Sequence, residues 1–211
     1  MAWTSRRRVD RGLVWLAVMG TIVAPARRLE SDDTLAAVEA LRRQVGLVVQ
    51  KDAGSERLRW FRAVEPTAGL VVQGADADSR AMRFVEIYGA AFGAHPRGVE
   101  VVDATGEDRL GTAHVRMRQL YRGLPVTGAE LVVHVRDGRI TAVHGTMLDV
   151  EPTLDVEPSI GPDRAAATVT SFLATRRGRP GAHIIHVRLE VFDRDVFDGV
   201  GDRPARLAWF V

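Results

Sequence analysis

The sequence predicts an α+β fold built from two units, each a helix followed by antiparallel strands. Two kinds of periodicity support this prediction. Apolar residues recur at three- and four-residue steps over 81–92 and over 165–173, which is typical of helices that bury one face. They alternate with polar residues over 113–121 and 205–211, which is typical of half-buried strands. Three acidic residues and two prolines at 151–158 predict a linker between the units.

The N-terminus has the pattern of an export signal. An apolar run over 13–24, too short to span a bilayer comfortably, follows four arginines, Arg6, Arg7, Arg8 and Arg11. The residues just before and at Ala26 suit cleavage there. We therefore predict a signal peptide over 1–26 and a secreted or periplasmic protein that meets the membrane only through this signal. An uncleaved anchor or a chance apolar helix is the alternative.

The charge of the chain does not indicate nucleic-acid binding. Of 29 basic and 27 acidic side chains, residues 1–26 hold four arginines and one aspartate, which leaves 25 and 26, a net charge of −1. The arginines after residue 26 are interleaved with acids, as on a solvated mixed surface. The chain has no cysteine, which excludes disulfides, a thiol nucleophile and a thiolate metal site. We therefore expect no nucleic-acid partner.

The first predicted elements are a helix and a loop ahead of the first domain. A helix is predicted over 33–49 from the near-helical spacing of Leu35, Val38, Leu41, Val45 and Val48. The polar stretch 51–56 predicts a loop. Residues 27–57 are therefore expected to form an N-terminal helical segment and loop, and residues 58–150 the first domain.

The first domain is predicted to begin with two short strands and a helix. The strands are expected over 58–64 and 69–72. Asp76 or Asp78 is a suitable N-cap for the helix that contains the 81–92 pattern, and Gly93 lies where the chain must leave that helix. We expect the apolar stripe of this helix to cover the strands that follow.

The alternation over 113–121 predicts a strand with a polar residue, Gln119, on its buried face. A buried amide destabilises the fold unless it finds hydrogen-bond partners. The simplest interpretation is a structural glutamine that pins a turn, rather than a catalytic residue. The turn itself is indicated by the sequence that ends the strand, which contains Gly123, Leu124 and Pro125.

A second strand pair is predicted around Asp137 and Gly138. This dipeptide lies between two alternating runs and favours a two-residue hairpin turn with positive φ. In that register His134 faces Thr141, and the apolar side of the hairpin is expected to pack on the 81–92 helix. The register therefore places His134 and His144 on opposite sides of the hairpin.

Residues 159–211 are predicted to form the second unit. Pro162 is well placed in the first turn of the helix that contains 165–173. Alternating residues then predict strands over 185–191 and 205–211. Because the last strand runs to the final residue of the sequence, we expect this unit to be incomplete.

The sequence shows no constellation that indicates an enzyme. It contains no HExxH, GxSxG, Walker or GxGxxG motif. A zinc site made by His114, His134 and His144 is conceivable, but the predicted register separates two of them. His183 and His186 fall on opposite faces of a predicted strand, and a group of aspartates near the C-terminus lacks the EF-hand spacing. We therefore predict no catalytic, cofactor-binding or metal residue, and an enzyme is the weakest hypothesis.

Three runs of the first domain carry a family resemblance. GTAHVRMRQLYRGLPV at 111–126, GAELVVH at 128–134 and DGRI at 137–140 resemble the fungalysin/thermolysin propeptide (FTP) domain of secreted zinc metalloproteases. The helix over 165–173 and RLAW at 206–209 resemble the PepSY domain that usually follows it. The resemblance assigns 58–150 to an FTP-like domain and 159–211 to a PepSY-like domain.

The resemblance implies a prodomain that helps its protease to fold and holds it inactive. The implied partner is the cognate metalloprotease catalytic domain, in cis or in trans; zinc, with calcium as a further candidate, would belong to that domain, and no cofactor is expected in this chain. The alternative is a stand-alone exported peptidase inhibitor or binding module that acts in trans. Roles in the fold or in partner contact are implied for Arg116, Gln119, Tyr121, Gly123, Pro125, Val126, Gly128, Asp137, Gly138, Gly145 and Trp209.

Overall fold

The computed structural model describes residues 32–44, 46–51, 55–65, 67–177, 183–194 and 204–211, so the predicted signal peptide lies outside the described residues. The helices are α1 (Asp32–Arg42), α2 (Ala77–Tyr88) and α3 (Pro162–Arg176). The strands are β1 (Leu47–Lys51), β2 (Leu58–Ala63), β3 (Leu70–Val71), β4 (Val99–Thr105), β5 (Thr112–Tyr121), β6 (Leu124–Arg136), β7 (Arg139–Thr146), β8 (Arg188–Phe192) and β9 (Arg206–Phe210). None of the described helices is long and apolar enough to cross a membrane.

The strands form a mainly antiparallel sheet. Its order is β1-β2-β7-β6-β5-β4, and β3 pairs with the start of β7. Strands β8 and β9 pair with each other, and β8 joins β6 through one parallel pair, Val126 opposite Val191. Helices combined with an antiparallel sheet confirm the predicted α+β class. The division into two units stays a prediction.

The main core lies between one face of the sheet and the helices α1 and α2. Phe61 of β2, Phe84 of α2 and Phe92 of the following 3-10 turn are fully buried, with ring centroids 5.7–6.3 Å apart. Alternate residues of β5, including Val115 and Met117, point into the same cluster. Full burial of one such side chain stabilises the fold by about 1.5–3 kcal/mol. The opposite face of the sheet carries mostly polar side chains.

Helix α2 confirms the helix predicted around 81–92. Asp76 is its N-cap: the carboxylate accepts a hydrogen bond from the Ser79 amide at 2.8 Å, and the Ser79 hydroxyl accepts one from the Asp76 amide at 3.0 Å. The α-helix ends at Tyr88 and continues as a 3-10 turn. Gly93 then adopts the left-handed conformation, with φ of 76°, which turns the chain out of the helix as predicted.

The N-terminal helix is shorter than predicted. The prediction of a helix over 33–49 is wrong after Arg42, because 47–51 is strand β1, paired with β2. Gly46, with φ of 80°, lies between the end of α1 and the start of β1, and the β-branched Val48 and Val49 after it favour a strand over a helix. Leu35, expected on the buried stripe, is 44% exposed. Val45 lies outside the described residues.

The C-terminal elements follow the predicted order. Helix α3 begins with Pro162 in its first turn, and β9 matches the last predicted strand within one residue at each end. The predicted strand over 185–191 is wrong for its first three residues, since β8 begins at Arg188 and Ile185 is 97% exposed. The indole N–H of Trp209 donates to the carbonyl of Ile160 at 3.0 Å, so β9 is attached to the segment that leads into α3.

Candidate functional site

The turn between β5 and β6 is tighter than the sequence indicates. Tyr121 pairs directly with Leu124, so Arg122 and Gly123 form a two-residue turn, with φ of 49° and 85°. Positive φ at both positions matches the right-handed twist of the strands, and Gly123 adopts it without a Cβ clash. Pro125 therefore lies inside β6 rather than in a loop.

Gln119 connects this strand pair to the segment that follows β7. Its amide group donates to the carbonyl of Leu148 at 2.7 Å and accepts from the amide of Leu148 at 2.8 Å. One side chain thus satisfies both backbone polar groups of Leu148, as a neighbouring strand would. A side chain without an amide at this position would leave that backbone unpaired.

Tyr121 and Arg122 fasten the predicted linker to the same turn. The Tyr121 hydroxyl lies 3.0–3.2 Å from three carbonyls, those of Glu151, Pro152 and Leu154. Since a phenol has one hydrogen, it donates to one of them at a time. The guanidinium of Arg122 donates to the carbonyl of Pro152 at 2.8 Å. The acidic stretch after residue 150 is therefore held against the turn by its backbone.

A bulge in β6 links the main sheet to the C-terminal strands. The pairing changes from Arg118–Glu130 to Leu120–Pro125, so β6 has extra residues between these pairs. Gly128, with φ of 74°, permits the sharp bend. The extra residues contribute to a second apolar cluster, which contains Val126, Ala129 and Val191.

A polar contact reinforces this link. The Thr127 hydroxyl donates to the Glu190 carboxylate at 2.8 Å, and Glu190, which is buried, also pairs with Arg188. A buried carboxylate needs such donors because it has lost its hydration. We call residues 119–129 the joint, because they contact both the segment 148–154 and strand β8.

The hairpin turn after β6 is confirmed at Asp137 and Gly138, which have φ of 49° and 70°. Beyond it, the predicted register is wrong. His134 lies opposite Ala142 instead of Thr141, because Thr141 is an extra residue that forms a bulge in β7. A one-residue shift moves every later side chain to the other face of a strand. The alternating pattern alone does not reveal such a bulge.

The bulge brings three histidines together on the outer face of the sheet, contrary to prediction. His114 Nδ1 lies 2.8 Å from His134 Nδ1, and His134 Nε2 lies 3.1 Å from His144 Nδ1. His114 Nε2 lies 2.9 Å from a carboxylate oxygen of Asp108. We call His114, His134 and His144 the histidine row. Its rings are 4.8 and 5.0 Å apart between centroids.

Two histidines of the row have lowered pKa values. The pKa of His134 is lowered to about 4, mainly by burial and then by the nearby His144 and His114, while Asp108 acts in the opposite direction. Burial, followed by the charge of Arg116, also lowers the pKa of His144. The hydrogen bond with His114 is the largest cause that lowers the pKa of Asp108, to about 2. Two of the three rings are therefore neutral at pH 7.

The three histidines of the row lie in a line and do not surround a common point. His134 directs one ring nitrogen at each neighbour, so the three rings do not converge on a common point. In the parts of the chain that the structure describes, no group of three or more potential ligands could hold a metal ion.

Two further motif residues lie in the central strands of the sheet, one in β7 and one in β5. Gly145, with φ of 147°, lies opposite Leu131, and a Cβ atom there would be 2.0 Å from the carbonyl oxygen of Glu130. The position therefore requires glycine. Arg116 forms an ion pair of 2.8 Å with Glu130 on the outer face of the sheet, and its side chain is half exposed.

Comparison with known proteins identifies the segment that contains most of these features. Residues 98–147 match the model of the Fungalysin/Thermolysin Propeptide Motif. Thermolysin of Alicyclobacillus acidocaldarius subsp. acidocaldarius is 48% identical over 48 residues, which are 23% of this chain and 8% of that protein. Thermolysin of Bacillus caldolyticus gives the same values. Thermostable neutral protease NprT of Geobacillus stearothermophilus is 38% identical over 63 residues, 30% of this chain and 10% of that protein.

The chain therefore contains a propeptide motif of the fungalysin/thermolysin type, which includes β4 to β7. The matches span 8–10% of the length of these relatives. The resemblance of residues 159–211 to a PepSY domain stays a prediction.

Proposed function

We propose that this chain is the propeptide of an exported thermolysin-like metalloprotease, and that it assists the folding of the catalytic domain and inhibits it. The match of residues 98–147 to the propeptide motif carries the proposal. The partner is the catalytic domain of the same precursor, and zinc and calcium would be bound there. The signal at 1–26 would direct export.

The physical basis is preferential binding to one state of the partner. A ligand that binds the native catalytic domain but not its unfolded chain stabilises the native form, by about 2.7 kcal/mol at a concentration 100 times its Kd. Such binding needs a rigid, preformed surface, because ordering flexible segments on binding weakens affinity. The contacts of Gln119, Tyr121 and Gly145 rigidify the matched segment.

The motif residues fall into two proposed roles. Most of them hold the fold, through turns, close backbone approaches or the joint: Gln119, Tyr121, Gly123, Pro125, Val126, Gly128, Asp137, Gly138, Gly145 and Trp209. Arg116 points outward on the open face of the sheet, where a partner can reach it. We propose it as a partner contact.

A refolding experiment tests the proposal. Denatured catalytic domain of the Geobacillus stearothermophilus protease is refolded with and without the full 211-residue chain, and active protease is measured. We expect the chain to raise the yield several-fold and to inhibit the mature domain when added afterwards. A folded chain that changes neither quantity would contradict the proposal.

Two variants sharpen the test. Gln119→Leu removes both hydrogen bonds to Leu148, so we expect reduced thermal stability and a lower refolding yield. Gln73→Leu, at an exposed position, is the matched control and should leave both unchanged. If Gln119→Leu behaves like the control, the joint does not support the assisting activity.

The coding sequence after Val211 separates action in cis from action in trans. An HExxH motif followed by a glutamate ligand would support the precursor. A stop codon directly after Val211 would remove the cis form and leave an inhibitor that acts on a separate peptidase. N-terminal sequencing of the exported product tests cleavage after Ala26.

A further inference from the structure

The hydrogen bonds of the histidine row constrain where its protons can be. Asp108 is an acceptor, so His114 donates to it through Nε2 and leaves Nδ1 as an acceptor. His134 must then donate through Nδ1 and accept at Nε2, and His144 must donate through Nδ1. With three neutral rings, every contact in the row is therefore a proper donor–acceptor pair.

One added proton leaves the row intact. If it binds the outer nitrogen of His144, all three hydrogen bonds remain. Proton transfer along the row can move the charge to His134 or to His114, again without loss of a hydrogen bond. The position at His114 is beside the carboxylate of Asp108, 2.9 Å away, which favours the charge there.

A second added proton breaks the row. Two of the three rings then donate through both nitrogens. If these two rings are adjacent, their N–H groups face each other; if they are His114 and His144, the neutral His134 has one acceptor nitrogen for two donors. At least one of the ring-to-ring contacts, at 2.8 or 3.1 Å, becomes two N–H groups that face each other. Two positive rings would also lie within one short row, where like charges repel.

The surroundings of the row do not compensate a second charge. The described charged side chains on this face and at its edge are five arginines and five carboxylates: Arg62 of β2, Glu100 and Asp103 of β4, Asp108 of the following loop, Arg116 and Arg118 of β5, Glu130 and Arg136 of β6, Asp137 of the hairpin turn and Arg139 of β7. Three of these carboxylates are already paired with arginines: Glu130 with Arg116 at 2.8 Å, Glu100 with Arg118 at 2.7 Å, and Asp137 with Arg136 at 3.7 Å. The carboxylate that is hydrogen-bonded to the row, Asp108, can balance one positive ring but not two.

We propose that the histidine row is a pH-sensitive latch across β5, β6 and β7, closed while it holds at most one added proton and opened by the second. Opening replaces ring-to-ring hydrogen bonds by repulsion and weakens the centre of the sheet. The inference rests on the geometry of this face alone, so it stands or falls separately from the propeptide proposal.

The direction of the pH effect follows from linkage. The folded pKa values of His134 and His144 lie below that of an unfolded histidine, about 6.5, so the unfolded chain binds more protons as the pH falls. The stabilising contribution is therefore complete above about pH 6.5 and is lost progressively toward pH 4. The Asp108 carboxylate loses its contribution only in a lower window, between its usual pKa and about 2.

Thermal unfolding of the full chain between pH 7.5 and 5.0, in buffers with EDTA so that bound metal cannot contribute, tests the latch. We expect the wild-type Tm to fall by roughly 3–6 °C, and the fall to be at least halved in His134→Gln, which lacks the middle ring. His95→Gln, at an exposed histidine in a loop, is the control and should keep the wild-type slope. Equal slopes in all three proteins would overturn the proposal.

Ring-nitrogen NMR of the wild-type chain decides the question even if His134→Gln does not fold. At pH 7.5 we expect His114 to carry its proton on Nε2, and His134 and His144 to carry theirs on Nδ1. On titration, two of the three rings should remain neutral well below pH 6.5. Three independent titrations near pH 6.5, or the opposite tautomers at neutral pH, would overturn the latch.

Discussion

Helices α2 and α3 have similar apolar periodicity, but the fold uses them differently. In α2, Ala81, Phe84 and Val85 are fully buried against the sheet. In α3, Ala165 alone of the described residues is buried, and Phe172 is 49% exposed. An apolar stripe thus predicts a helix, but it does not predict how much of that stripe the fold will cover. We expect stability to be concentrated around α2.

The largest loss of stability is expected from a substitution on α2, compared with a matched substitution on α3. Phe84→Ala opens a cavity among Phe61, Tyr88 and Phe92, and we expect it to lower the free energy of unfolding by about 3–5 kcal/mol. Phe172→Ala on α3 should cost less than about 1 kcal/mol, because half of its ring is already in water. Urea denaturation of both variants measures the difference. Similar losses of unfolding free energy in the two variants would show that Phe172 is buried in solution.

The next largest loss of stability is expected where the backbones of β6 and β7 approach closely. Gly145→Ala places a methyl group 2.0 Å from the carbonyl oxygen of Glu130, at a φ of 147°, so we expect a loss of about 2 kcal/mol or more. An added methyl group at Gly106 meets no described atom within 4 Å, which makes Gly106→Ala the control. Equal Tm values for the two variants would mean that the backbones of Gly145 and Glu130 can move apart without a loss of stability.

The smallest loss of stability is expected at the contact between the main sheet and the C-terminal strands β8 and β9. Thr127→Val removes one donor from the buried Glu190 carboxylate, and we expect a loss of about 1–2 kcal/mol. Hydrogen exchange should show the loss of protection in β8 and β9, with β5 to β7 unchanged. If protection falls equally in both regions, they unfold as one cooperative unit and the contrast between them is wrong.

The elements that were predicted well depend on local signals. The Asp76 cap, the Gly93 exit and the Asp137–Gly138 turn were each predicted from a few neighbouring residues, and the structure contains all three. The helix prediction failed where a glycine with positive φ, Gly46, redirected the chain into β1. The spacing of apolar residues continues through Gly46 and does not reveal the change.

The candidate site was predicted less well than the fold. The sequence indicated that Gln119 needs hydrogen-bond partners, but not that Leu148, 29 residues away, supplies them. It placed His134 and His144 on opposite faces, because a period of two assumes a strand without a bulge. The extra residue, Thr141, has no local signature that distinguishes it from its neighbours. The histidine row could therefore not be found before the register was known.

Local signals are enough to predict the α+β class, the helices α2 and α3 and the tight hairpin turn, because caps, turn glycines and periodicity act over a few residues. Long-range contacts set the register beyond Thr141, the partners of Gln119 and the unequal burial of α2 and α3. These features depend on pairs of residues that are distant in the chain. Their energies exist only when the strands and helices come together, so no local pattern encodes them.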